Sequence, residues 1–246
     1  MRDTEERVTP AGDTARVSVH DEERFGNGGK MKSAAIFDMD GLMFDTERIY
    51  RENWMLYAPR FGYEADPEFP KAICGTSGQH ALDVMEAYYP GIDAMAFKLA
   101  VRAAVDAAIE KEVPLMPGIR EILRMFSEKG VPCAVASSSH AAKIDHCLRL
   151  SGLADYFAVT VSGEAIENGK PAPDIFLLAA EKLGLPPEEC YVFEDGVNGV
   201  HAGIAAGCAT IMIPDLLAPD LLALKKCAGI YPSLNEAREA ILCGEV

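Results

Sequence analysis

Five short apolar runs, each separated from the next by amphipathic chain, constrain this sequence more than any other feature. They fall at 33–37, 132–137, 157–161, 190–194 and 208–213, and several are rich in Val or Ile. Apolar runs of about 4–8 residues that lack polar alternation predict strands buried on both faces. Helical spacing runs between them over 118–129, 141–150 and 174–183, the last bounded by Pro171 and Pro173 before it and Gly184 after it. Strands that alternate with helices predict an α/β fold, a doubly wound, Rossmann-like and mostly parallel sheet.

The rhythm breaks in two places. Residues 47–113 read as helical throughout, with Phe97, Leu99, Val101, Val105 and Ile109 spaced along one segment. A helical block between the first and second strands predicts a cap domain over the sheet edge. Its hinges are expected at 44–48 and 112–117, where Pro114 and Pro117 punctuate the return. The core is then 31–46 plus 114–246. Residues 1–30 are polar, mixed in charge and Gly-rich at their end, without the apolar centre of a secretion signal. They predict a disordered leader.

Chemistry-bearing residues stand at the ends of the predicted strands, where ligands gather in a doubly wound sheet. The first run ends in "FDMDGLMFDT", with Asp38 and Asp40 one residue apart. The second ends in Ser137, followed by Ser138 and Ser139, and the loop after the third holds Lys170 in "NGKPAPD". The fourth ends in Glu194 and Asp195. Carboxylates so crowded repel one another unless cations sit among them. An all-oxygen donor set suits Mg²⁺, so Asp38, Glu194 and Asp195 are the expected metal site. Lys170 and Ser137 are then placed to grip phosphoryl oxygens while Asp38 attacks phosphorus. Asp40 is the expected acid for the leaving oxygen and base for the water that follows.

The four motifs, "DMDGLMFDT", Ser137, "GKPAPD" and "EDGVNG", occur in order from Met31 onward. In this the chain resembles the haloacid dehalogenase-like phosphatases of the β-phosphoglucomutase-like group, and within it the pseudouridine-5′-phosphatase branch. The resemblance implies a phosphatase acting on a small phosphorylated sugar or nucleotide-like metabolite through an aspartyl-phosphate. It implies further that the Asp40 backbone carbonyl ligates the metal and that Glu194, or a water it holds, completes the shell. By the same resemblance the cap positions that choose the substrate are Tyr50 and the loop holding Gly75, Thr76, Ser77 and His80. That loop has no arginine, and Tyr50 stands where the mutases carry histidine; both departures disfavour a sugar phosphomutase, which remains the alternative. A non-catalytic sensor of phosphorylated ligands is the third reading, and the intact Asp38 and Asp40 count against it.

Composition narrows the partners. A formal net charge of -15 argues against nucleic-acid and anionic-membrane surfaces, and no apolar run is long enough for a membrane span. Seven cysteines without a C-x-x-C pair read as buried thiols in a reducing cytoplasm. Ser139 reads as a helix cap, Asp174 as a cap or, by the resemblance, a residue that orients the lysine, and Asp45 and Thr46 as shapers of the turn into the cap. His140, His146 and His201 read as ordinary surface or helix residues, and Trp54, Tyr88 and Tyr89 as cap core.

Overall fold

The computed structural model describes residues 30–76, 78–215 and 218–246. The leader expectation therefore lies outside the described residues except at Lys30, and so does the expectation for Ser77. One parallel sheet organises the rest. Its strands are β1 (Ala34–Phe37), β2 (Cys133–Ser137), β3 (Phe157–Ser162), β4 (Cys190–Glu194), β5 (Ala209–Met212) and β6 (Gly229–Ile230), in the order β3-β2-β1-β4-β5-β6. The fold is thus the expected doubly wound α/β sheet. β6 is an addition: two residues beside β5 are too short to show any period.

All four residues of β1 are fully buried. Successive side chains of a strand point to opposite faces, so Ala35 and Phe37 enter one apolar cluster while Ala34 and Ile36 enter another. Both faces therefore need helices. Between β1 and β2 come α1 (Thr46–Tyr57), α2 (Phe69–Ile73), α3 (Gly78–Tyr88), α4 (Ala94–Ile109) and then α5 (Ile119–Glu128). After β2 follow α6 (Ala141–Ser151), α7 (Asp174–Leu183), α8 (Val197–Ala206), α9 (Leu221–Lys226) and α10 (Leu234–Cys243). Ile122 and Phe126 of α5 and Leu234 and Ile241 of α10 cover the Phe37 face; Phe176 and Ala180 of α7 and Ala202 of α8 cover the other. Phe37 stacks on Phe193 of β4 with ring centres 4.6 Å apart.

Helices α1–α4 have an aromatic centre of their own. Phe97 is fully buried, with Phe61, Trp54, Tyr89 and Phe69 rings at 5.1, 5.2, 5.8 and 6.1 Å. Trp54 and Tyr89 are core residues, as expected, while Tyr88 is half-buried at its edge. Two connections join these helices to the sheet and run side by side. The Asp45 N–H donates to the Pro114 carbonyl and the Met116 N–H to the Met43 carbonyl, both at 2.9 Å.

The strand order reverses beside β1: the chain visits β2 and β3 on one side, then crosses to β4, β5 and β6 on the other. Such a switch point opens a crevice at the carboxyl ends of its strands. Phe37 pairs with Phe193 across it, which places Asp38 next to Glu194.

Truncating Phe97 to Ala should remove about 3–5 kcal/mol of unfolding free energy, as large aromatic deletions in packed cores do. A urea titration checks this; a loss below about 1 kcal/mol contradicts the packing described.

Candidate active site

The crevice is built by close approach. After β1 the chain turns at Gly41, whose φ of +87° favours glycine and whose N–H donates to the Phe44 carbonyl at 2.9 Å. A Cβ at Gly41 would stand 2.4 Å from Asp195 Oδ2. At the start of α8 the same demand recurs, where a Cβ on Gly199 would overlap Glu194 Oε1 at 1.6 Å. Glycine at these two positions lets backbone lie directly against the carboxylates.

Lys170 reaches into the centre. Its Nζ donates to Asp38 Oδ1, to Glu194 Oε1 at 2.6 Å and to the Ala136 carbonyl at 3.3 Å, and lies 4.9 Å from the centre of the Phe176 ring. Burial opposes its charge, yet the two carboxylates outweigh burial and hold Lys170 above its ordinary value. Glu194 Oε2 accepts from the Gly196 N–H at 3.0 Å, so both of its oxygens have protein donors. Asp195 has no side-chain hydrogen bond among the described residues. Oxygens of Asp38, Glu194 and Asp195 all lie within 4.8 Å of one another.

One lysine among three carboxylates leaves negative charge in excess. Burial, with Glu194 and Asp40 nearby, pushes Asp38 up to about 7 despite Lys170. Burial, then Glu194 and Asp38, raise Asp195 well above the usual carboxylate range. An all-carboxylate set short of positive charge fits a hard divalent cation, which would restore both groups to their ionised form.

Asp40 sits outside this knot and is held from three directions. Thr46 Oγ1 donates to its Oδ1 at 3.0 Å, Ser139 Oγ to its Oδ2 at 2.7 Å, and Lys143 Nζ to its Oδ1 at 2.8 Å. Ser137 is buried, and its Oγ accepts from the Ser139 N–H at 3.1 Å, which leaves its own hydroxyl proton free to donate. A cavity of about 730 Å³ touches Asp38, Asp40, Ser137, Lys170, Glu194 and Asp195, and reaches Tyr50, Gly75 and Thr76. The residues expected at the site are thus brought together, with two exceptions. His80 is exposed on α3 and lines neither this cavity nor its neighbour, and Ser77 lies outside the described residues.

The cap reading is corrected for Ser139, and for Asp174 it gives way to the role beside the lysine. Ser139 does not cap α6; its hydroxyl is committed to Asp40, and Glu164 Oε2 instead accepts from the Ala141 N–H at 2.9 Å. Asp174 does not cap α7; Pro173 holds that position, and Asp174 Oδ2 ties back the Asn168 amide and backbone of the lysine loop. Lys143 was not anticipated. A lysine on an amphipathic helix usually faces solvent, but Lys143 lies in the first turn of α6, where the helix dipole disfavours a cation. That misfit is the signal in the sequence that it answers an anion.

The model of the haloacid dehalogenase-like hydrolases matches residues 32–207. The chain belongs to this family. It is similar to a Thermotoga maritima phosphorylated carbohydrates phosphatase, 31% identical over 214 residues, 87% of this chain and 92% of that one. It also matches a Drosophila melanogaster protein described as a probable pseudouridine-5′-phosphatase, 33% identical, over 73% of this chain and 80% of that one. Among solved structures, a haloacid dehalogenase family hydrolase from Deinococcus radiodurans with bound phosphate and sodium superposes with a TM-score of 0.73. The two are 28% identical, over 87% of this chain and 97% of that one. This family member is a phosphoric monoester hydrolase, in line with the two phosphatases among these relatives.

The raised Asp38 gives a signed expectation. Its carboxyl moves from an ordinary 3.8 to about 7 in the metal-free fold, so the native state keeps a proton that the unfolded chain gives up. On this group's account the metal-free protein loses stability as pH rises across that window, and a cation binding there must displace the proton. Calorimetric titration of Mg²⁺ in buffers of different ionisation enthalpy should show at least one proton released per cation near pH 6, since Asp38 and Asp195 are both raised, and fewer as the pH climbs past 7. Binding near pH 6 without proton release would contradict this.

Proposed function

We propose that this hydrolase is an Mg²⁺-dependent phosphatase that cleaves a small phosphorylated sugar or nucleoside-like monophosphate through an aspartyl-phosphate on Asp38. The observation that carries the reading is the convergence of Asp38, Lys170, Glu194 and Asp195 in one cavity with Asp40 at its rim. Asp38, Asp195 and the Asp40 carbonyl would hold the cation, with Glu194 behind them. Bound there, it would neutralise phosphoryl oxygens and keep the carboxylates ionised.

The residues divide the work. Lys170 and the Ser137 hydroxyl hold phosphoryl oxygens and orient phosphorus for in-line attack. A carboxylate oxygen of Asp38 forms a bond to phosphorus as the bond to the substrate oxygen breaks. Asp40, protonated, gives its proton to that leaving oxygen. Asp40, now a carboxylate, takes a proton from a water whose oxygen attacks the same phosphorus. The Asp38–phosphorus bond breaks, and phosphate leaves with both aspartates restored. Thr46, Ser139 and Lys143 keep the Asp40 carboxylate facing the reacting atoms.

Helices within 47–113 form the cap in this reading, moving on the paired connections at Asp45–Pro114 and Met43–Met116. The substrate class follows the named relatives, with pseudouridine 5′-phosphate one member of it. No helix among the described residues is long and apolar enough to cross a membrane. All seven cysteines are unpaired, which accords with a reducing cytoplasm. A sugar phosphomutase is the second reading. It draws on Lys98 and Arg102 of α4, which line a smaller neighbouring cavity on the cap side and offer cations to a second phosphate. A hexose monophosphate with a bisphosphate primer would then yield isomer in place of free phosphate.

Replacing Asp38 by Asn should lower Mg²⁺-dependent phosphate release from 4-nitrophenyl phosphate by about a thousandfold or more, the scale for a lost nucleophile. The assay should be run beside a metabolite panel that includes pseudouridine 5′-phosphate. Undiminished turnover by Asp38→Asn would remove the nucleophile from this account.

A further inference from the structure

Beside the phosphate cavity lies a second, of about 340 Å³, walled on the cap side by Trp54, Ile73, Ala81 and Met85. The two share a throat, because Glu47, Tyr50, Cys74, Thr76 and Lys143 line both. A substrate whose phosphoryl group rests on Asp38 and Lys170 must pass its alcohol portion through that throat to reach the cap cavity.

Glu47 is the throat's one carboxylate and has no place in the mechanism above. It follows Thr46, the residue bound to Asp40, in the first turn of α1. The Cys74 thiol lies beside it on the same lining, and no side chain among the described residues makes a hydrogen bond of ordinary geometry to its carboxyl group. An ionised carboxylate accepts up to about four hydrogen bonds, and a thiol is a weak donor, so most of that capacity is unfilled. The charges nearest it are unhelpful. Asp40 and Asp215 repel it, and Lys143, the cation in range, is already paired with Asp40 at 2.8 Å. Burial foremost, then these two aspartates, pushes Glu47 up to about 7. A half-buried carboxyl group with no donor better than a thiol beside it, on the lining shared by two cavities, is completed by a donor that arrives with the ligand.

We propose that Glu47 is a specificity-determining residue whose carboxyl group accepts a hydrogen bond from a hydroxyl or ring N–H on the alcohol portion of the substrate. It thereby selects polyhydroxylated or nucleoside-like monophosphates over plain alkyl and aryl phosphates. This rests on the phosphatase reading and adds to it the feature recognised beyond the phosphate. A glutamate in a first helical turn also suits the helix dipole. That role alone would affect every substrate alike, which separates the two.

The test compares kcat/KM for sorbitol 6-phosphate, ribose 5-phosphate and phenyl phosphate in the wild type, Glu47→Leu and Glu47→Gln. The wild type should prefer at least one of the hydroxylated esters over phenyl phosphate by about tenfold or more, as sites that pair a substrate hydroxyl do. Glu47→Leu should reduce that ratio by about tenfold, chiefly through KM, and Glu47→Gln, which keeps one acceptor oxygen, should retain part of it. A wild type without the preference, a ratio unmoved in Glu47→Leu, or an equal loss on all three esters would overturn the proposal. Wild-type turnover of phenyl phosphate with the ratio unmoved leaves the phosphatase reading standing. No phosphate from any of the three esters would take both down.

Discussion

The ammonium group of Lys170, held between Asp38 at the end of β1 and Glu194 at the end of β4, is the contact on which the site depends. Each of these groups is buried, and none would be tolerable there alone: an isolated charge in such surroundings costs several kcal/mol of lost hydration. Together they satisfy one another, but incompletely. Asp195 adds a further carboxylate within 4.8 Å, and both Asp38 and Asp195 are driven toward their neutral forms. The deficit of positive charge that destabilises the site without a cation is also what would give a divalent cation its affinity there. Stability and function pull against each other at this one cluster.

The sheet exists in the form that brings those groups together. A parallel ladder sets Phe37 against Phe193, so the next residues along, Asp38 and Glu194, emerge side by side. β2 on the other flank delivers Ser137 and Ser139, and α6 turns Lys143 back toward Asp40. Gly41 and Gly199 then allow the loop after β1 and the first turn of α8 to close on the carboxylates without a Cβ in the way. The helices between β1 and β2 complete the enclosure by carrying Tyr50 and Thr76 over the same space. The proposed catalytic groups thus come from strand ends and the loops that follow them, and the proposed substrate-facing groups from an element tied on by two neighbouring backbone connections.

How much of this is legible in the sequence depends on the kind of signal each residue carries. Strand ends are easy to read, since an apolar run that stops in Asp38 or Glu194 marks both an element and a site. Side chains that act from helices are harder to read: Lys143 offers only its awkward place in a first helical turn, and Glu47 resembles any first-turn acid until the fold shows what it faces. Ser139 and Asp174 were legible as helix-start residue types, but their partners, Asp40 and Asn168, are matters of tertiary position. β6 escapes because its pairing with β5 is set by the neighbouring strand rather than by its own two residues. Periodicity finds elements, motifs find strand tips, and neither finds a throat between two cavities.

The central claim is that Asp38 becomes covalently phosphorylated within this charge cluster. Rapid acid quench of the Asp40→Asn enzyme turning over 4-nitrophenyl phosphate with Mg²⁺, followed by peptide mass spectrometry, examines it directly. The account predicts a phosphoryl adduct on Asp38 that forms with the first nitrophenol released and decays as phosphate appears. Nitrophenol release in step with free phosphate, with Asp38 unmodified at every time point, would contradict it.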